Sequence, residues 1–260
     1  MADMILTEPL PMTSASVSVS RGTGAANLVS FDPREVWQDV VPGSPASAAT
    51  IDVDLGTNPP TWDVIALINT NAANAATWTI TTGASAPAAG ATSVTGSAMR
   101  LASEELADAT GPSTWVSPTP QTSRHIRLAL TQPTGQAALT IGGLIVGKSW
   151  KPLYPREPGT GRPPTDTGVR TRLDDGGLST VPGKLLSGFK WVFGDLDPGE
   201  LAKLWGVLRR RRTTEPLLLI EDPGELVAEN VHYGTFVDLE AYERRDQSKS
   251  RFAMSFEDWV

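Results

Sequence analysis

Three short β-type runs, divided by Gly, Pro and Asn with no helix-period segment between them, constrain this chain most. They are Asp52-Val53-Asp54-Leu55-Gly56, the stretch WDVIALINTN from Trp62 to Asn71, and Ala76-Thr77-Trp78-Thr79-Ile80. β-Branched and aromatic residues suit a pleated, half-buried surface, and turn residues close each run. The pattern predicts an antiparallel β-sandwich built to present surfaces. Nothing comparably specific to catalysis occurs elsewhere in the chain.

The rest of the first half follows the same grammar. Ser14 to Ser20 alternates Ser with Ala or Val and reads as a first strand, and Asp32 to Trp37 reads as a turn that buries Trp37. Arg124 to Leu130 places Ile126, Leu128 and Leu130 on one face, and Leu139 to Val146 is a strand bent at Gly142-Gly143. Gly83 to Ser97, almost all Gly, Ala, Ser, Thr and Pro, offers little to bury and reads as a long loop. Five prolines between Lys151 and Pro164 predict an extended linker. The domain reading is therefore a sandwich over 1–150, a linker over 151–168 and a second domain over 169–260.

That second domain reads as a small β-barrel or sandwich with one packed helix. Phe189, Trp191 and Phe193 alternate onto one face, as do Phe252, Met254 and Phe256. Asp197-Pro198-Gly199-Glu200 is a strong helix start: Asp197 caps, Pro198 suits the first turn, and Glu200 completes a capping box. Leu201, Leu204, Trp205 and Leu208 follow at helical spacing, so a helix is expected over about 197–210. Arg209 to Arg212 then supply cations at the negative end of its dipole. Overall the chain is expected to be mainly β.

Charge and composition exclude several function classes. A net charge of −7 opposes general phosphate binding, so no nucleic-acid partner is expected. There is no Cys, hence no disulfide, thiol nucleophile or thiolate metal site, which fits folding in a reducing cytoplasm. An acidic start and the lack of a long apolar run give no expectation of a signal peptide or membrane insertion.

Gly142 to Ser149 matches the phosphate-loop pattern GxxxxGK[ST]. That chemistry needs the loop to run from a strand into a helix, so that amide N–H groups and the helix dipole meet the phosphates. Here Leu144-Ile145-Val146 favours a strand, and Trp150-Lys151-Pro152 cannot start a helix, so a terminal strand is expected. His125 and His232 are too few for a metal site and read as satisfied strand histidines. No cofactor and no catalytic residue is expected, and the chain reads as non-enzymatic.

Two sets of residues stand out for binding. Arg209, Arg210, Arg211 and Arg212 form an intense basic run, read either as a solvated helix end or as an interface to an acidic neighbour such as Asp174-Asp175 of an adjacent subunit. Trp62 and Trp115 are aromatic candidates for stacking on a sugar ring, with core packing as the competing duty. Trp62 begins a strand, whereas Trp115 sits in Pro112 to Pro118, read as a flexible and exposed context.

The first half resembles a discoidin-like (galactose-binding-like) β-sandwich. The likeness rests on Asp52 to Gly56, on Trp62 to Asn71, on Ala76 to Ile80, on Arg124-His125-Ile126-Arg127-Leu128, and on Ile141 to Gly147. The exit Gly147-Lys148-Ser149-Trp150-Lys151-Pro152 and the layout of the second half are similar to the belt domain of bacteriophage distal tail or minor tail proteins. In that half the likeness covers Phe193, Leu196, Glu200, Leu204, Pro216 to Pro223, Tyr233 to Phe236 and Phe252 to Glu257. The resemblance implies a virion structural protein of a tail tip or baseplate, made in the host cytoplasm. It would assemble with itself into a ring or hub-associated collar through its C-terminal domain, beside other phage tail proteins. The alternative is a carbohydrate-binding adhesin module that recognises a host surface glycan. Discoidin-like sandwiches also suggest a structural calcium, for which Asp32 and Asp39 are the candidates.

Overall fold

The computed structural model describes residues 4–40, 47–86, 90, 92–103, 110–153, 157–183, 185–239, 241–246 and 248–259. Its strands are, in order, β1 (Ile5–Pro9), β2 (Val17–Val19), β3 (Trp37–Gln38), β4 (Ser47–Asp54), β5 (Trp62–Thr70), β6 (Thr77–Gly83), β7 (Thr92–Ala98), β8 (Gly111–Gln121), β9 (His125–Gln132), β10 (Thr140–Ile141) and β11 (Gly143–Trp150). They continue with β12 (Pro164–Asp166), β13 (Val169–Arg172), β14 (Leu178–Val181), β15 (Leu185–Leu196), the helix α1 (Pro198–Arg211), β16 (Leu217–Ile220), β17 (Val231–Leu239), β18 (Glu243–Arg244) and β19 (Ser250–Asp258). The mainly-β expectation holds. The chain divides into two compact units: Ala2–Lys151 with Leu218–His232, and Pro152–Leu217 with Tyr233–Val260.

The first unit is an antiparallel β-sandwich. One sheet runs β2-β4-β9-β6-β7, and the facing strands of the unit run β16-β1-β11-β5-β8. Alternation along β4 sends Ile51 and Val53 inward, and β9 does the same with Ile126, Leu128 and Leu130. Trp78, Ile80, Ile65, Leu67, Leu144 and Val146 complete a single buried cluster with them. Burying each such side chain contributes about 1.5–3 kcal/mol, and this term holds the two sheets face to face.

Polar side chains fasten the ends of these strands. Asn71 donates to the Ala138 carbonyl at 2.8 Å and accepts from the Thr140 amide at 2.8 Å. Asn69, at φ 50°, donates to the Pro33 carbonyl at 2.8 Å where the register of β5 on β8 shifts. Trp37 is fully buried, as expected, and its indole N–H donates to the Arg21 carbonyl.

The second unit sets β15 against β19, with β12 on the outer edge of β15 and β17 and β18 beside β19. Phe189, Trp191 and Phe193 form an aromatic row with ring centroids 5.3 and 5.6 Å apart. Phe252, Met254 and Phe256 are buried with it. The helix starts as expected. Asp197 accepts from the Glu200 amide at 2.8 Å, Glu200 reaches back to the Asp197 amide, and Pro198 occupies the first turn. Leu204, Val207 and Leu208 are its buried apolar face.

Several expectations change. Ser14–Ser16 is a 3₁₀ turn closed by Thr13, and only Val17–Val19 is a strand. Thr92–Ala98, expected in a loop, forms β7, an edge strand of small residues with almost nothing buried. Pro164, expected in an extended linker, begins the short strand β12, where an edge position needs no amide donor. Val169–Val181, which carried no strand expectation, folds into the β13–β14 hairpin.

Candidate functional site: a cleft beside two Asp–Arg pairs

The outward face of β4 carries Asp52 and Asp54, and β9 lies beside it in antiparallel register with Asp52 opposite Arg127 and Asp54 opposite His125. Both carboxylates are held by two points. Arg127 donates Nε and Nη2 to Asp52 at 2.6 and 2.7 Å, and Arg124 does the same to Asp54 at 2.6 and 2.7 Å. The Gly56 amide adds a third donor to Asp54 at 2.8 Å, made by a turn in which Gly56 takes φ +84°. The "DLG" and "R-H-I-R-L" segments of the sequence thus meet as one cross-strand lattice.

The Arg124 guanidinium and, next, the Gly56 amide hold the Asp54 carboxyl far below the usual carboxylate range. Asp54 in turn raises the Arg124 guanidinium. Asp54 is therefore a fixed anion at any physiological pH. It can accept hydrogen bonds but cannot deliver a proton as a glycosidase acid must.

A cleft of about 370 Å³ opens beside Asp54. Its walls are Leu10, Pro11, Met12, Leu55 and Pro60, with Ser16 and Asp54 as the polar edge. A smaller hollow of about 180 Å³ shares Ala15, Ser16 and Asp54 with it and reaches Ser18, Asp52 and His125. The sequence signal for this site was the alternation of Asp52 and Asp54, which reads equally as solvated acids. Nothing in sequence alone joins them to the Leu10–Met12 segment.

Neither candidate Trp lines the cleft. Trp62 is completely buried, donates its indole N–H to the Ser123 carbonyl at 3.2 Å, and meets Trp115 edge-on at 6.4 Å. It has no ring face open to a sugar. Trp115 lies within the eleven-residue strand β8, opposite Ile65, and packs half-buried against the core. The flexible, exposed context expected for it is corrected accordingly: the prolines at 112 and 118 sit within a strand.

The calcium candidates are engaged otherwise. Asp32 takes both guanidinium contacts of Arg34, and Asp39 is buried against Arg21 at 2.9 Å. Among the described residues no three His, Asp or Glu side chains converge as metal ligands do. His232 is buried and bonded to Glu221 at 2.8 Å, while His125 is half-buried at the hollow.

The phosphate-loop match lies in β11 and is followed by no helix. Its glycines serve close packing: a Cβ on Gly147 would overlap the Thr7 methyl and the Glu8 carbonyl of β1, and one on Gly142 would overlap the Pro33 carbonyl. Ser149 bonds Asp63 through both its amide and its hydroxyl.

In the second unit, Asp174 and Asp175 lie at the tip of the β13–β14 hairpin, where Asp175 accepts from the Gly177 amide. Arg209 stands over the Trp205 ring at 5.9 Å, Arg211 pairs with Glu215 at 3.1 Å, and Arg212 closes the helix at φ 52°. Arg210 is exposed on the same last turn. Among the described residues the structure brings no carboxylate of 174–175 to these arginines.

No protein-family model and no curated protein matches the chain. Solved structures similar to it include a family 32 carbohydrate-binding module from Clostridium perfringens NanJ in complex with galactose. It is 18% identical with a TM-score of 0.39, over 55% of this chain and 99% of that one. A second C. perfringens module, CpGH89CBM32-6, is 15% identical with a TM-score of 0.38, over 54% and 99%. A chitosan-binding module from a Paenibacillus chitosanase/glucanase is 18% identical with a TM-score of 0.37, over 50% and 92%.

Proposed function

We propose that the sandwich unit is a non-enzymatic carbohydrate-binding module whose ligand lies in the cleft beside Asp54. The observation that carries this reading is the pairing of an apolar wall with a fixed anion in a space of about 370 Å³. A pyranose has one apolar face and a rim of hydroxyls. Leu10, Met12, Leu55 and Pro60 suit the face, and the Asp54 carboxylate suits the hydroxyls as an acceptor oriented by Arg124. Isothermal titration of the intact protein with galactose and with a panel of oligosaccharides tests it, with Met12→Glu as the variant that fills the cleft with charge. Saturable binding lost in Met12→Glu supports the reading. No binding across a broad glycan array overturns it.

A second reading keeps the chain as a structural component of a phage tail tip that assembles with copies of itself and with other tail proteins. Its support is the exposed hairpin and the basic helix end of the second unit, together with the ordered resemblance along residues 169–260. Immunogold microscopy of intact particles tests it: label confined to the tail tip is expected, and unlabelled tails with free protein in the lysate overturn it.

A further inference from the structure

The cleft proposed for the sugar does not end at Asp54. The hollow of about 180 Å³ shares Ala15, Ser16 and Asp54 with it, so the two spaces are contiguous. Independent small-molecule pockets run from about 300 Å³ upward. The hollow falls short of that and extends the cleft rather than forming a second site. The two spaces differ in chemistry. The cleft is walled by Leu10, Met12, Leu55 and Pro60. The hollow adds polar side chains: Ser18 on β2, Asp52 opposite it on β4, and His125 on β9 opposite Asp54.

These groups have hydrogen-bonding capacity to spare. An ionised carboxylate offers about four acceptor sites. Arg127 fills two on Asp52, while Arg124 and the Gly56 amide fill three on Asp54. His125 makes no hydrogen bond among the described residues, so its neutral ring keeps one donor and one acceptor. Arg124 and Arg127 line neither space, so a ligand there meets the carboxylates and not the guanidinium groups. A uronic acid would set its own carboxylate against them, whereas a neutral sugar would offer hydroxyl donors.

We propose that the site takes a neutral disaccharide or longer glycan, with one ring on the apolar wall and the next in the hollow. The inference rests on the carbohydrate-binding reading above and names the ligand class. It assigns the hydroxyls of the second ring to Asp52 and His125, with Asp54 between the two rings. A single pyranose occupies the cleft and leaves those groups to water.

Isothermal titration of the full chain with matched sugars tests this: galactose and lactose, glucose and cellobiose, mannose and mannobiose. At least one disaccharide is expected to bind roughly tenfold or more tightly than its monosaccharide. Digalacturonate is expected not to bind. His125→Ala strips the hollow of its ring nitrogens, and Ser18→Phe fills it from an exposed position on the edge strand β2. Thermal unfolding checks that both variants fold. Each should bring disaccharide affinity to within about threefold of the wild-type monosaccharide value. A disaccharide that binds no more tightly than its monosaccharide, or an advantage that survives either variant, overturns the second ring and leaves the cleft reading in place. Digalacturonate binding as tightly as the best neutral disaccharide overturns the neutral assignment. No saturable binding by these sugars or across a broad glycan array overturns both the inference and the reading beneath it.

Discussion

Asp54 and Arg124 stand 70 residues apart in sequence and meet in a two-point contact of 2.6 and 2.7 Å. The unfolded chain cannot hold that pair, so its effect on Asp54 belongs to the folded state. Because the folded carboxyl titrates below its unfolded value near about 3.9, the pair contributes stability above that pH. The contribution is lost as pH falls through the folded value. Asp54→Asn should therefore flatten the loss of stability on acidification below about pH 4, measured by urea unfolding across a pH series. Asp32 is an internal control. Arg34 holds its carboxyl at about 2, but that partner is only two residues away, so the unfolded chain keeps it close and part of the effect belongs to both states. Asp32→Asn should change the acid limb less than Asp54→Asn does, and the reverse order would contradict the lattice described here.

The two tryptophans separate core duty from sugar duty. Trp62→Ala removes a fully buried ring and its bond to Ser123, at a cost of about 3–5 kcal/mol. Trp115→Ala removes a half-buried ring and should cost less. Because Trp115 lies outside the cleft lining, its removal should leave glycan affinity within about twofold, as read by titration calorimetry. A tenfold loss would place the sugar on Trp115 instead.

How much of this was legible in sequence follows from how local each signal is. The helix of the second unit was readable from Asp197 to Leu208 because capping and apolar spacing are contained in a dozen residues. Strands β4, β6 and β9 were readable because each buries alternate side chains, and β5 because its β-branched and apolar run Val64 to Ile68 is buried throughout. β7 was not, since Thr92–Ala98 lies at an edge and buries little. The β13–β14 hairpin was missed although Asp175-Gly176 is a turn signal, because its flanking Val and Leu residues face solvent and form no amphipathic pattern. The cleft was illegible for a different reason: Leu10, Asp54 and Arg124 are brought together only by the pairing of distant strands.

The phosphate-loop match makes a sharp opposition. Gly147→Ala would set a methyl against the Thr7 side chain and the Glu8 carbonyl, and the backbone neighbour cannot rotate away. Overpacking of this kind costs about 1–3 kcal/mol. Lys148 is exposed on the strand, so Lys148→Ala should stay within about 0.5 kcal/mol. A nucleotide site would behave otherwise, with Lys148→Ala abolishing ATP-dependent thermal stabilisation. No such stabilisation is expected in either protein.

The capping box of α1 carries more than a cap. Asp197 satisfies only the Glu200 amide, so Asp197→Ala should cost about 1 kcal/mol. Glu200 is buried, reaches back to the Asp197 amide, and also accepts from the Leu153 amide at 2.6 Å. It therefore ties the segment after the sandwich exit to the first turn of the helix. Glu200→Ala strips two backbone donors of their acceptor, and an unsatisfied buried donor costs about 1–3 kcal/mol. Hydrogen exchange separates the two variants. Asp197→Ala should speed exchange at the first turn of α1 alone, whereas Glu200→Ala should also expose the Leu153 amide. Equal patterns in the two variants would mean that Glu200 serves the helix only.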